Sequence, residues 1–161
     1  MDKAEIGGII YKRHLVKIGV LASSDQPGLA ATILDALGQA DINVQFIAHL
    51  IDIKGSAHIA FCVDQANQEA SMELLENVRE EVGAEALAHE GEVAMVSIFG
   101  PDFREKPCIA GAMFQALASK EISILAVSTS ISTVTCVIDS ARIDDAIAAI
   151  KEAFMLPGQD D

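Results

Sequence analysis

The chain has 161 residues, enough for one or two domains, and its 51% hydrophobic content can fill a sizeable core. A formal net charge of −13, with no Trp and one Tyr, excludes the basic, ring-bearing surface that nucleic-acid binding requires. No apolar run is of membrane-spanning length, the first residues lack the basic-then-apolar layout of a secretory signal, and Cys62, Cys108 and Cys136 lie far apart, so a reduced, cytoplasmic protein with no membrane partner is expected.

In chain order, the segment Ala4 to Tyr11 reads as a strand, and Val16 to Leu21 as a second one that alternates inward and outward. Asp25-Gln26-Pro27-Gly28-Leu29-Ala30-Ala31 then opens a helix over 28–39, whose apolar positions Leu29, Ile33 and Leu37 share one face. Asp25 suits the N-cap, Pro27 the first turn, and Gly28 leaves the backbone bare for a close approach. Free N–H groups at such a start, beside a side-chain carboxylate, can hold the carboxylate and ammonium of a small zwitterion. Any strand–turn–helix start also needs a cap, and from these residues alone both readings stand.

Residues 42–51 and 56–64 read as a hairpin with Lys54-Gly55 as a two-residue turn. That register sets Ile51 opposite His58. Val44, Phe46, Ala48, Ile59, Phe61 and Val63 then form the core face. The other face, with Gln45, Ile47, His49, Ile51, His58 and Ala60, is too apolar to be merely solvated and points to a partner surface. A helix over 66–82 ends at Gly83, and Ala86-Leu87-Ala88 could add a short edge strand. The order βαββαβ is that of a ferredoxin-like unit, with helices on one face of an antiparallel sheet.

The pattern then repeats. Val16 and Ile18 recur as Val96 and Ile98, Pro27 as Pro107, Ala36-Leu37 as Ala116-Leu117, and Ile42 and Val44 as Ile122 and Ile124. The second copy runs through strands over 94–99, 122–128 and 134–139 and helices over 108–119 and 141–154, and then lacks a sixth element. The N-terminus has a strand to spare. The expected fold is therefore α+β with two ferredoxin-like domains: one over 15–90, inserted into a discontinuous one made of 4–12 and 93–158.

Chemistry-bearing constellations are absent from this pattern. There is no phosphate-binding glycine loop with a lysine and no serine elbow, so neither catalytic residues nor a cofactor are expected. His14, His49, His58 and His89 lack metal-ligand spacing; His49 and His58 could share a sheet face, but two ligands make a poor site, and no metal is expected. Cys108 opens the second helix, where a thiol pKa can fall, or it simply fills the slot that Gly28 holds in the first copy.

Two βαββαβ units, Asp25-Gln26-Pro27-Gly28 opening the first helix and Ile42-Asn43-Val44 leading to the next strand resemble paired ACT domains, the amino-acid-binding regulatory modules. The pairing most resembles the regulatory region of aspartokinases. There a Gly-Ile-Ala-Tyr-like strand corresponds to Gly8-Ile9-Ile10-Tyr11, Asp-Lys-Pro-Gly to residues 25–28, and a Ser-Thr-Ser-Glu motif to Ser128-Thr129-Ser130-Ile131. The resemblance implies a non-catalytic module that binds an effector of the lysine or threonine class, dimerises through its ACT domains, and serves an aspartokinase catalytic chain. It also implies a site: Asp25, Pro27, Gly28, Leu29 and Ala30 from the helix start, with Asn43, Val44 and His49, and Ser123, Ile124, Ser128 and Thr129 from the second unit. His49 stands where the family often has Gln, Ser123 where it has Asn, and Ile131 where it has Glu. Other readings of the chain are a free-standing ACT-pair sensor, a structural pairing protein, or a small thiol enzyme using Cys108.

Overall fold

The computed structural model describes residues 3–22, 24, 26–101 and 103–158. Two compact units result: His14–Glu92, and Met1–Arg13 with Val93–Asp161. Two long strands, β2 (Gly8–Ala22) and β5 (Ala84–Phe99), contribute to both. At the two crossing points His14 and Glu92 take left-handed backbone conformations, φ 59° and 54°. The sequence predicts separate short strands on either side of these points. Extended residues on both flanks make each pair one element.

In the unit of residues 14–92, β2 is followed by α1 (Leu29–Gln39), β3 (Phe46–Ile51), β4 (Ala57–Asp64), a 3-10 turn, α2 (Gln68–Val82) and β5. The sheet order is β3-β4-β2-β5. The alternation expected of β2 is met, with Val16, Ile18 and Val20 buried against Ile33 and Leu37 of α1 and Leu75 of α2. Gly83 ends α2 in the left-handed conformation at φ 64°, as a C-terminal glycine should. Residues 42–44, expected in the strand, instead form an irregular passage after α1, in which Ile42 N–H caps back on Leu37 O at 2.9 Å.

The hairpin register differs from the expected one. Ile51 pairs with Ala57, Leu50 with His58 and His49 with Ile59. Asp52 N–H donates to Ser56 O at 2.9 Å and Gly55 N–H to Asp52 O at 3.0 Å, leaving a three-residue loop, Ile53-Lys54-Gly55, with Gly55 at φ 85°. A left-handed glycine closing a three-residue loop is a standard alternative to the two-residue turn. The single extra residue flips β3: Ile47 packs on the core with Phe61, while Phe46, Ala48 and Leu50 share the helix-free face with Cys62, Ala60 and His58.

The other unit contains β5, α3 (Ile109–Ser119), β6 (Ala126–Thr129), β7 (Thr133–Asp139), a 3-10 turn, α4 (Ile143–Ala153) and β8 (Phe154–Met155). Its core joins Val96, Ile98, Met113, Leu117, Cys136, Ile138 and Ile150. A sixth element therefore exists. Phe154 leaves α4 at φ −122°, ψ 157°, and β8 pairs in parallel with β1 (Ala4–Glu5). Gly7 N–H donates to Phe99 O at 2.6 Å, and the Phe99 ring occupies the space that Cβ atoms on Gly7 and Gly8 would need. Here the hairpin loop is two residues, Ile131-Ser132, between Ser130 and Thr133. Among the described residues no helix is long and apolar enough to cross a membrane.

Candidate functional site at the start of the first helix

Among the described residues, a backbone turn precedes the first helix. Gly28, at φ 96° and ψ −7°, is the N-cap residue, the position expected of Asp25, and Asp25 itself lies outside the described residues. Leu29 N–H donates to Gln26 O at 3.1 Å. Proline followed by a glycine at this φ and ψ closes a type II turn, the one β-turn that favours both residues in that order. Thr32 N–H makes the first helical bond, to Gly28 O at 2.9 Å. The N–H groups of Ala30 and Ala31 meet no acceptor among the described residues. A helix start in that condition offers two donors and the positive end of the peptide dipoles to an anion.

The second copy differs in its backbone. Ile109 N–H reaches Lys106 O at 3.4 Å, but Cys108 sits at φ −90°, ψ −6°, as in a type I turn. Passing from type I to type II turns the central peptide over, so Gly28 and Cys108 aim their N–H groups in opposite senses. The sequence exposes the missing side chain at Gly28; the turned-over peptide is the larger difference.

The remaining expected site residues are spread along each unit. Asn43 and Val44 lie just beyond the C-terminal end of α1, whose eleven residues set them about 16 Å from the Pro27–Ala30 start. Ala22 and Ile51 both pair with Ala57, so the hairpin tip stands at the same end of the sheet as the Gln26–Leu29 turn, with His49 two rungs below it, exposed. In the other unit Ser128 and Thr129 pair with Thr135 and Val134 near the hairpin end, whereas Ser123 and Ile124 follow α3 at the opposite end. Within a single unit the structure thus gathers Pro27, Gly28, Leu29, Ala30 and His49 at one end of the sheet, and leaves Asn43 and Val44 at the other.

No group of three or more candidate metal ligands occurs among the described residues. Cys62 and Cys136 are buried, and burial pushes each thiol up to about 12; Cys108 is exposed. His58 Nε2 lies 2.9 Å from Asp52 Oδ2 at the hairpin tip. One feature that sequence reasoning missed is an open cavity of about 290 Å³ lined by Lys17, Gly19, Ala88, His89 and Glu90. Its available signal was a glycine inside a strand.

Two α/β-plait units, each with helices on one face of an antiparallel sheet, define a tandem repeat of one small fold. ACT-domain family models match residues 16–83 and 96–154, and the chain belongs to the ACT-domain family. The aspartate kinase of Pseudomonas fluorescens (strain SBW25) is 31% identical over 156 residues, covering 97% of this chain and 38% of that protein. The aspartokinase of Mycolicibacterium smegmatis is 29% identical over 163 residues, covering 100% of this chain and 39% of its own length. Among solved structures, the ligand-free regulatory subunit of aspartate kinase from Thermus thermophilus superimposes with a TM-score of 0.83 at 29% identity, over 93% of this chain and 99% of that one. The chain spans well under half of the curated aspartokinases it matches, and within it the matched modules are ACT domains, not a kinase domain. It is an ACT pair of the aspartokinase regulatory type.

Proposed function

We propose that the chain regulates an aspartokinase-type enzyme by binding a free amino acid of the lysine or threonine class at the start of α1. The observation that carries this reading is the type II turn at Gln26–Leu29, which leaves the Ala30 and Ala31 N–H groups open to a carboxylate. Asp25, which precedes that turn in the sequence, would supply the carboxylate for the ammonium. Asn43 and Val44 stand too far from the turn to serve the same ligand within one unit. They, like Ser123, Ile124, Ser128 and Thr129, would act where ACT units pair side by side, which makes a homodimer through these domains part of the proposal. The partner is an aspartokinase catalytic chain in the cytoplasm, in keeping with the matched solved structure of aspartokinase alpha and beta subunits, 28% identical with a TM-score of 0.83.

The test is calorimetric titration of the full chain with L-lysine and L-threonine, alongside sedimentation. Saturable binding of one of them, weakened about tenfold or more in Asp25→Ala by loss of a charge-assisted contact, supports the site. Undiminished binding in Asp25→Ala, or a monomer of 17.0 kDa with ligand bound, overturns it.

A further inference from the structure

Each of the two long strands has a stretch that lacks a neighbour on one side. β2 runs from Gly8 to Ala22, but among the described residues β4 accompanies it only from Leu15 onward. Gly8–Arg13 therefore has β5 beside it and an open strand edge on its other side. In β5, β7 pairs only with Val93–Phe99, which leaves Ala84–Glu92 open in the same way. Open edges invite another strand, and charged side chains are the usual guard. The Ala84–Glu92 edge carries the exposed Glu85, Glu90 and Glu92. The Gly8–Arg13 edge has no such guard at its centre. Ile10 and Tyr11, which point to opposite faces, are 58% and 51% exposed there. Arg13, bonded to Asp144 at 2.6 Å, lies 5.6 Å over the centre of the Tyr11 ring and holds it at the edge.

The sequence of this edge complements itself. When two copies pair antiparallel about a twofold axis perpendicular to the sheet, one residue stands opposite its own copy. Centred on Ile10, the pairing sets Ile10 against Ile10 on one face and Ile9 against Tyr11, twice, on the other. Both exposed apolar side chains are then covered, in the aromatic and β-branched pairs that sheets favour. Lys12 falls opposite Gly8, so the two Lys12 residues stand about 14 Å apart along the strands. Centred on Tyr11, the pairing would instead set Lys12 opposite Ile10 and Arg13 opposite Ile9.

We propose that Gly8–Arg13 is a self-association edge, where the same edge of a second copy of this chain adds antiparallel about a twofold at Ile10. The second copy is the occupant because one sequence supplies the apolar pairs and keeps its own like charges apart. Each copy carries a net charge of −13, so the two repel at low salt and the association strengthens as salt screens them. This contact is distinct from the pairing proposed at the effector site and does not depend on that reading.

The test uses the full chain alone, with no amino acid added. In a Cys108→Ala background, Ile10→Cys should form an interchain disulfide under mild oxidation, because directly opposed residues of an antiparallel pair stand about 4.5–5.5 Å apart. Tyr11→Cys, at a site of similar exposure, should not, since its own copy lies two positions along the strand. Sedimentation at rising concentration should show an association step that grows with salt. Ile10→Arg should weaken that step about tenfold or more, because the twofold sets the two added charges face to face, while the Tm of the dilute chain stays that of the parent. No crosslink at Ile10→Cys, equal crosslinking at Tyr11→Cys, or an association step unchanged in Ile10→Arg would each overturn the proposal. An edge that serves an extended peptide of another protein would give the first of these results.

Discussion

Gly28 and Cys108 hold the same place in two copies of one βαββαβ unit, yet their backbones turn in opposite senses, φ 96° against −90°. Only the first requires glycine. Nothing lies within 4 Å of a Cβ on Gly28, so the cost of Gly28→Ala is the left-handed conformation itself, about 1–2 kcal/mol. Cys108→Ala, on an exposed residue in an ordinary right-handed conformation, should stay within about 0.5 kcal/mol of the parent. Urea unfolding of the two variants measures the asymmetry directly.

The three thiols should separate by reactivity. Cys62 and Cys136 are buried and held neutral, each pushed up to about 12, while Cys108 is exposed. A thiol reagent should therefore label Cys108 alone in the native chain, and all three cysteines in denaturant. Because burial raises the folded value above the ordinary 9.0, the favoured state is the neutral thiol. Its contribution to stability is complete below pH 9.0 and declines as pH climbs toward 12, since only the unfolded chain ionises freely there. Alkaline unfolding that begins later in a Cys62→Ala, Cys136→Ala double variant would display that term.

Asp52 organises the tip of the first hairpin. Its carboxylate accepts from His58 Nε2 at 2.9 Å, Lys54 N–H at 2.8 Å and Ser56 N–H at 3.0 Å. The His58 contact is the first cause, and the Ser56 and Lys54 N–H groups the next, of a carboxyl held below its ordinary 3.8. A lowered folded value means the tip is fully supported above pH 3.8 and loosens as pH falls through the lower folded midpoint. Carbon-detected titration should put the Asp52 midpoint below 3.8 in the parent and move it upward in His58→Ala. Amide exchange at Lys54 and Ser56 should quicken in Asp52→Ala.

Ser71 is the fourth residue of α2 and Ala146 the fourth of α4, and both are fully buried. Among the described residues the Ser71 hydroxyl has no hydrogen-bond partner, whereas Ala146 needs none. Removing an unpaired buried hydroxyl should be favourable, so Ser71→Ala should gain about 1 kcal/mol, and Ala146→Ser should lose a similar amount. Calorimetric melting of both variants checks the pair.

The repeat made most of the fold legible, because apolar spacing survives in both copies: Leu29, Ile33 and Leu37 recur in role as Ile109, Met113 and Leu117. Gly83 marked the end of α2 for the same local reason that it ends it. What escaped was decided by one-residue choices. Lys54-Gly55 read as a two-residue turn, but the loop takes in Ile53 as well, and that flipped the faces of β3. Phe154 looked helical by its apolar spacing, yet backbone pairing with Ala4, distant in sequence, draws it into a strand. At the candidate site Pro27-Gly28 announced a turn, but its type depends on ψ at the proline, which residue identity only biases.

The two hairpins also differ in reach. Opposite Ser130 and Thr133 the second closes at once, whereas the first continues from Leu50 and His58 through Ile51–Ala57 and Asp52–Ser56 before it turns. Two added rungs and one added loop residue carry its tip about 7 Å further beyond its own sheet. The five extra residues make an odd number, which would reverse inside and outside if the loop did not absorb the odd one. Ile53, fully exposed at the summit, is thus the first apolar group met by anything that approaches this end of the unit. Lengthening or trimming that finger by two rungs' worth of residues would change how far it extends without disturbing the core beneath it.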